Sequence, residues 1–309
     1  MSRKFFLSII ASCLLYTDFC FSQDTLSFFQ PSPAYNKARI KILSYSLAGT
    51  YALSMTGLYH LWYKDFDSEP FHFFDDNPEW MQFDKIGHLG SAYYLGKWGI
   101  GLFQWTGMEN KKATWIGGMA GFAFLTSVEV MDGFSSAWGF SWSDMAYNAA
   151  GTGMVISQQL LWNEQRINLK FSYHESKFAQ YRPDQFGTGI TEKVFKDYNG
   201  SSVWLSANIY SFIRNKESKF PKWLNVAGGY GVEGLTGARE NVSEFNGKPV
   251  PPFARYRQFY ISPDIDLTRI NTRSKILKTI FGAFGFIKIP APAIEFNRVD
   301  DVKWHWLYY

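Results

Sequence analysis

Ala113-Thr114-Trp115-Ile116-Gly117-Gly118-Met119-Ala120-Gly121-Phe122-Ala123-Phe124-Leu125-Thr126-Ser127-Val128 carries no charged side chain and ends on Glu129, with Asp132 three residues further on. An uncharged run of this length, with small residues spaced through it, predicts a helix that packs closely against other helices. Three more segments have the same character, so helices are expected over about residues 37–62, 84–105, 112–130 and 143–162. Each approaches the roughly 20 residues needed to cross a bilayer, although Gly, Ala, Ser, Thr and Tyr keep its hydrophobicity modest. Gly117, Gly118, Gly121, Ala149, Gly151 and Gly153 are the positions where backbones could approach. The same composition also suits a buried helical bundle in water.

Outward from this region the pattern changes. Before it, Arg3 and Lys4 precede the apolar run 5–16, and Cys20-Phe21-Ser22 offers small residues for cleavage, so residues 1–22 read as a signal peptide. A lipoprotein reading would instead lipidate Cys13. After residue 166 strand-like runs follow, at 167–173, 203–209, 223–230, 259–270 and 287–296, with turn signals at Asn199-Gly200 and Asn246-Gly247. One amphipathic helix is expected over about 273–284. The end, Trp304-His305-Trp306-Leu307-Tyr308-Tyr309, suits a strand meeting a membrane interface. The expected fold is therefore α+β: a membrane-associated N-terminal bundle of about four helices over 37–165, then a strand-rich basic extension over 166–309.

Composition narrows the class. Charged residues are 19% against 46% hydrophobic, which argues against a disordered chain, a coiled coil or a nucleic-acid binder. The 2 Cys both lie in the first twenty residues, so neither a disulfide framework nor a cysteine zinc site is expected. The net charge of +4 divides into −4 over residues 1–164 and +8 over 165–309. A basic second half suits anionic lipid head groups, and equally an ordinary soluble surface. Simple inner-membrane spans would carry the acidic loop from Asp65 to Glu79 into the cytoplasm and leave Lys37, Arg39 and Lys41 outside, against the usual charge bias. The expected location is thus the cell envelope after export, in association with membrane lipid, with either membrane possible.

Polar groups recur inside the apolar helices. Asp84 and His88 lie four apart on one helical face, with Lys85 three before His88. Glu129 and Asp132 close the third segment, while Ser141, Asp144 and Asn148 open the fourth. Buried charge is costly unless paired, so these residues are functional candidates. Plain alternatives stand beside them: Asp84 as an N-cap, Ser141 with Asp144 as a capping box, His88 as a core histidine, and Lys85 neutralising Glu129 or Asp132. As chemistry, His88 or Glu129 would act as general base, Asp84 and Asp144 would orient it or hold a metal, and Lys85 would meet an anionic group. Asp84, His88, Glu129 and Asp144 would suit an oxygen-preferring divalent metal such as magnesium or manganese.

Asp84-Lys85-x-x-His88, Glu129-x-x-Asp132, Phe140-Ser141-Trp142-Ser143-Asp144 and Gly151-x-Gly153 together resemble the bacterial family called domain of unknown function 2279, some members of which are predicted periplasmic lipoproteins. The likeness covers about residues 80–162. More distantly the pattern resembles the VanZ-like membrane proteins. No settled activity comes with the resemblance. The leading expectation, from the residues, is an envelope protein with a structural or envelope-maintenance role; the alternatives are a metal-assisted hydrolase or transferase acting on an envelope lipid or glycan, and a module binding lipid or an envelope protein partner.

Overall fold

The computed structural model describes residues 30–215 and 217–309, so the expected signal peptide and Cys13 lie outside the described residues. Asn36 opens helix α1 (Lys37–Leu58) by accepting the N–H groups of Ala38 and Arg39 at 3.0 and 3.1 Å. This cap supplies partners for donors that the first turn leaves free. The helix continues through a π turn, Tyr59–Tyr63, and buries only Leu43 along its length. Helices α2 (Phe83–Trp105), α3 (Asn110–Gly118), α4 (Ala120–Asp132) and α5 (Trp142–Trp162) follow. Helix α2 is the central one, packed against the other three.

Small residues set that packing. A Cβ on Gly117 would fall 2.3 Å from the Ile100 nitrogen, and one on Gly151 would fall 2.1 Å from the Leu89 carbonyl oxygen. Only a bare backbone fits at either place. Gly118 and Gly121 are similarly tight, but Gly153 faces open space and Ala149 is exposed, so these two do not serve the packing expected of them. The third expected helix is two helices, α3 and α4, meeting at Met119 just after Gly117-Gly118. Two consecutive glycines weaken the helix where α2 and α5 press on it. The count of about four helices is therefore too low. Short helices also stand in the second half: α6 (Pro183–Phe186), α7 (Ile190–Lys196), α8 (Ile209–Phe212) and the expected amphipathic α9 (Lys275–Phe284). Among the described residues one helical stretch, Asn110–Asp132, is long and apolar enough to cross a membrane.

The strands are β1 (Ile167–Tyr173), β2 (Ser201–Asn208), β3 (Leu224–Glu233), a small hairpin of β4 (Glu244–Phe245) and β5 (Lys248–Pro249), then β6 (Tyr256–Ile265), β7 (Ala291–Asn297) and β8 (Asp301–Tyr308). The hairpin turns at Asn246-Gly247, both at positive φ, as its sequence predicts. The main sheet is antiparallel in the order β1-β2-β3-β6-β7-β8. It curls strongly. The Phe171 N–H of β1 donates to the Phe286 carbonyl at 2.7 Å, and the Lys288 N–H donates to the Phe171 carbonyl at 2.8 Å, tying the first strand to the segment that leads into β7. Tyr308 of β8 bonds Ser202 of β2 at 2.9 Å and donates to the Tyr260 hydroxyl of β6 at 2.8 Å. These strands are not neighbours in the sheet, so the bonds cross the inside of the curl.

Helices and sheet make one compact unit over Pro31–Tyr309. Helix α2 covers the outside of β1 and β2. There Leu169 and Val203 pack with Tyr93, Tyr94, Val155 and Ile156, and the Tyr94 hydroxyl donates to the Leu169 carbonyl. At its other end Phe83 packs with Val232 and Leu235. Entry into α2 is unusual: Trp80, Met81 and Gln82 all adopt left-handed φ of 49°, 53° and 66°. Such residues cost roughly 1–3 kcal/mol each. Contacts from the strand half hold the turn, because the Trp80 N–H donates to the Ala238 carbonyl, the Tyr230 hydroxyl to the Met81 carbonyl, and Arg257 to the Gln82 side chain.

Candidate functional site

At the start of α2, Lys85 is fully buried, with its ammonium among three carboxylates. Asp76 lies at 2.5 Å, Asp84 at 3.0 Å and Asp144 at 2.9 Å. Asp84 is in the first turn of α2 and is not its N-cap; Gln82 holds that position and makes no side-chain cap. Ser141 does cap α5, accepting the Asp144 N–H at 3.1 Å. The reciprocal half of the capping box is absent, because the Ser141 N–H donates to Glu129 Oε2 instead. Asp144 is thereby left free to face Lys85. Lys85 pairs with neither Glu129 nor Asp132; its ammonium is buried and already held by three carboxylates.

Asp76 was not singled out from sequence, yet it is Lys85's nearest partner and accepts the Ser141 and Ser143 hydroxyls at 2.6 and 3.0 Å. It sits in a loop among other acidic residues, where nothing local marks it. That loop pairs with 134–142: Phe73 bridges to Phe140 and its ring stacks on Trp142. The aromatic run at Pro70 to Phe74 thus packs over the end of the helices that holds the cluster. Asp132 stands apart, accepting the Tyr63 hydroxyl at 2.6 Å.

His88 is the most exposed side chain of the cluster at 23%, with Asp76 and Asp84 at 16%. Its Nδ1 is 3.2 Å from Asn148 Oδ1 and 3.7 Å from Glu129 Oε1, and its Nε2 is 3.8 Å from Asp144 Oδ1. The Asn148 contact fits an N–H at Nδ1 and a lone pair at Nε2. Glu129 Oε1 is buried and has no hydrogen-bond partner. Asp144 Oδ1 also lacks one by hydrogen-bond geometry, but it lies 2.9 Å from the Lys85 ammonium and is electrostatically satisfied.

The charges respond to this crowding. Burial pushes Glu129 up to about 9, helped by the charges of Asp144 and Asp132. Burial and a hydrogen bond shared with Asp76 push Asp144 up to about 7, against the pull of Lys85. For Asp76 burial acts upward too, but hydrogen bonds with Asp144, Lys85 and Ser141 prevail and bring it down to about 2. Burial, then the Lys85 charge, hold His88 below its usual value, so the imidazole is neutral at pH 7.

Two three-residue groups have donor atoms close enough to share a cation: Asp76, Asp84 and Asp144, and separately His88, Glu129 and Asp144. Lys85 fills the first. The four metal-ligand candidates from sequence therefore divide, with Asp84 committed to the ammonium and His88, Glu129 and Asp144 remaining together.

Residues 72–159 match the family model of domain of unknown function 2279, described as a predicted periplasmic lipoprotein. The match runs from the Asp76 loop through α5, so it contains the whole cluster and none of the sheet. It supports an exported, envelope-associated protein and bears out the resemblance read from the motifs; the VanZ-like resemblance has no such support. No curated protein and no solved structure matches the chain.

Proposed function

We propose that this is a membrane-associated envelope protein whose helical half holds a divalent cation for hydrolytic or group-transfer chemistry on an envelope lipid or glycan. The observation that carries the reading is Glu129 Oε1: a buried carboxylate oxygen without a partner, facing the largely buried imidazole of His88. An unsatisfied buried acceptor calls for a proton or a cation. The cluster is also short of positive charge, since Asp76, Asp84 and Asp144 surround one ammonium. One imidazole and two carboxylates suit magnesium or manganese better than zinc. In this reading His88, Glu129 and Asp144 hold the ion, and Lys85 with Asp76 fixes the carboxylate of Asp144. The ion would polarise a substrate oxygen or supply a nucleophilic water.

A second reading, a structural polar core, is favoured by the completeness of the Lys85 pairing. Elemental analysis of the protein purified in mild detergent separates them, with Glu129→Gln and His88→Ala alongside. The cation reading expects a stoichiometric divalent metal that both substitutions remove while the fold survives. A metal-free parent with manganese giving no rise in melting temperature overturns it.

A further inference from the structure

The curled sheet is inside out. Its strands alternate, as strands do, but the buried charges point inward, beside an aromatic cluster of Trp204, Tyr260 and Tyr308, while the exposed apolar residues point outward. Within the curl lie Lys170, Ser206, Gln258, Asp264, Lys288 and Glu295, all buried. Lys170 of β1 reaches Asp264 of β6 at 2.7 Å, and His305 of β8 reaches Glu295 at 2.6 Å. Glycines on the inner face of β3 make room: a Cβ on Gly229 would sit 2.7 Å from the Trp204 ring. The outward positions on the same strands are Val226, Phe259, Ile261, Phe296, Val302 and Trp304, all exposed, and Trp306 is 81% exposed. Helix α2 covers this apolar outer face only at β1, β2 and the end of β3. From β3 to β8 much of it is open.

We infer that the open outer face, together with α9, is seated in the apolar layer of a phospholipid membrane. Isolated exposed apolar residues are ordinary, but a contiguous apolar face over an interior that holds ion pairs is the arrangement used against hydrocarbon. Two features choose lipid over a second copy. Helix α9 is amphipathic and fully on the surface, with Ile276, Leu277, Ile280 and Phe284 on its apolar side and Lys275 and Lys278 on the other. That is the form of a helix lying in an anionic interface. At the opposite end of β6 and β7, Arg257 and Arg298, with the single carboxylate of Asp301, line an open groove of about 560 Å³ floored by Phe259, Phe296 and Val302. The apolar band thus lies between two groups of cations, which phosphate head groups would meet and a second copy of the same basic surface would repel.

This surface extends the membrane association proposed above and is independent of the cation site. The test is co-flotation of the full chain with vesicles of phosphatidylethanolamine and phosphatidylglycerol, plus quenching of its tryptophan fluorescence by brominated phosphatidylcholine. The wild type should float and be quenched. Ile261→Lys with Trp304→Lys should reduce flotation by about tenfold or more. Trp304→Phe with Trp306→Phe, which leaves the face apolar, should float normally but lose the quenchable signal, and so holds the test if the lysine variant misfolds. Wild type that stays with the soluble fraction overturns the inference, as does quenching unchanged in the phenylalanine variant, or an apolar face that instead drives a concentration-dependent dimer. Metal content in the same variants reads the cation site separately.

Discussion

The protein holds two buried ionic networks that are finished to different degrees. Inside the sheet, Lys170 and Lys288 face the single carboxylate of Asp264, and further ammonium hydrogens go to the carbonyls of Ile265, Pro263 and Ile289 and to the Ser262 hydroxyl; Asp264 Oδ1, without a hydrogen bond, lies 3.8 Å from the Lys288 ammonium. In the helical half one ammonium faces three carboxylates, and a fourth, Glu129, points an unpaired oxygen at His88. Backbone carbonyls fix the first network because neighbouring strands present them at regular intervals. Helices keep their carbonyls for themselves, so the second network depends on side chains alone. Its shortfall is the place where a proton or an ion can enter.

Substitutions can break this contrast. The largest effect is expected for Asp264→Ala, which strands two buried ammoniums and should cost about 3–5 kcal/mol in chemical denaturation. A cost near zero would mean that water already reaches the inside of the sheet. Gly151→Ala drives a Cβ into the Leu89 carbonyl and should cost about 1–3 kcal/mol, while Gly153→Ala, in open space, should be neutral or slightly stabilising. Equal effects at the two glycines would remove the close approach of α2 and α5 as the reason the cluster assembles.

The pH dependence sharpens the comparison further. Burial pushes the Asp132 carboxyl up to about 6 from an ordinary 3.8, with the Tyr63 hydrogen bond opposing and the Asp76 charge assisting. The folded state therefore binds the proton more tightly than the unfolded chain. This contribution is complete below about pH 3.8 and is lost as pH rises through 6. Its slope is at most about 1.4 kcal/mol per pH unit. Asp132→Asn should flatten that window in denaturation curves of the metal-free protein; an unchanged slope assigns it to another group. The smallest effect, below about 1 kcal/mol, is expected for Glu129→Gln in metal-free protein, because Glu129 is protonated at neutral pH. If it costs as much as Asp264→Ala, the helical network is as complete as the one in the sheet.

Much of this was legible in the sequence. The run at 167–173 is β1 to the residue, because its flanks are turn-rich and its pattern is unbroken. The run at 259–270 overshoots β6, which ends at Ile265 because the Asp266 side chain takes the Thr268 N–H and turns the chain. His88, Glu129 and Asp144 were legible because carboxylates and an imidazole stand out in apolar helices. Asp76 was not, since in an acidic loop only the fold distinguishes the carboxylate that turns inward. The inversion of the sheet was hidden for a different reason. Alternation reports that two faces differ, but not which of them is enclosed.

The left-handed turn at Trp80 to Gln82 bears on how the molecule can be divided. Beside the local bond from the Gln82 amide to the Asn77 carbonyl, its tethers are the Ala238 carbonyl, the Tyr230 hydroxyl and the Arg257 guanidinium, all from beyond residue 165. A fragment ending after α5 would keep every residue of the family match and lose all three tethers. Relaxation of that turn would re-aim the first turn of α2, and with it Asp84 and Lys85. The recognisable domain is therefore a borrower of geometry, and its ion network belongs to the whole chain.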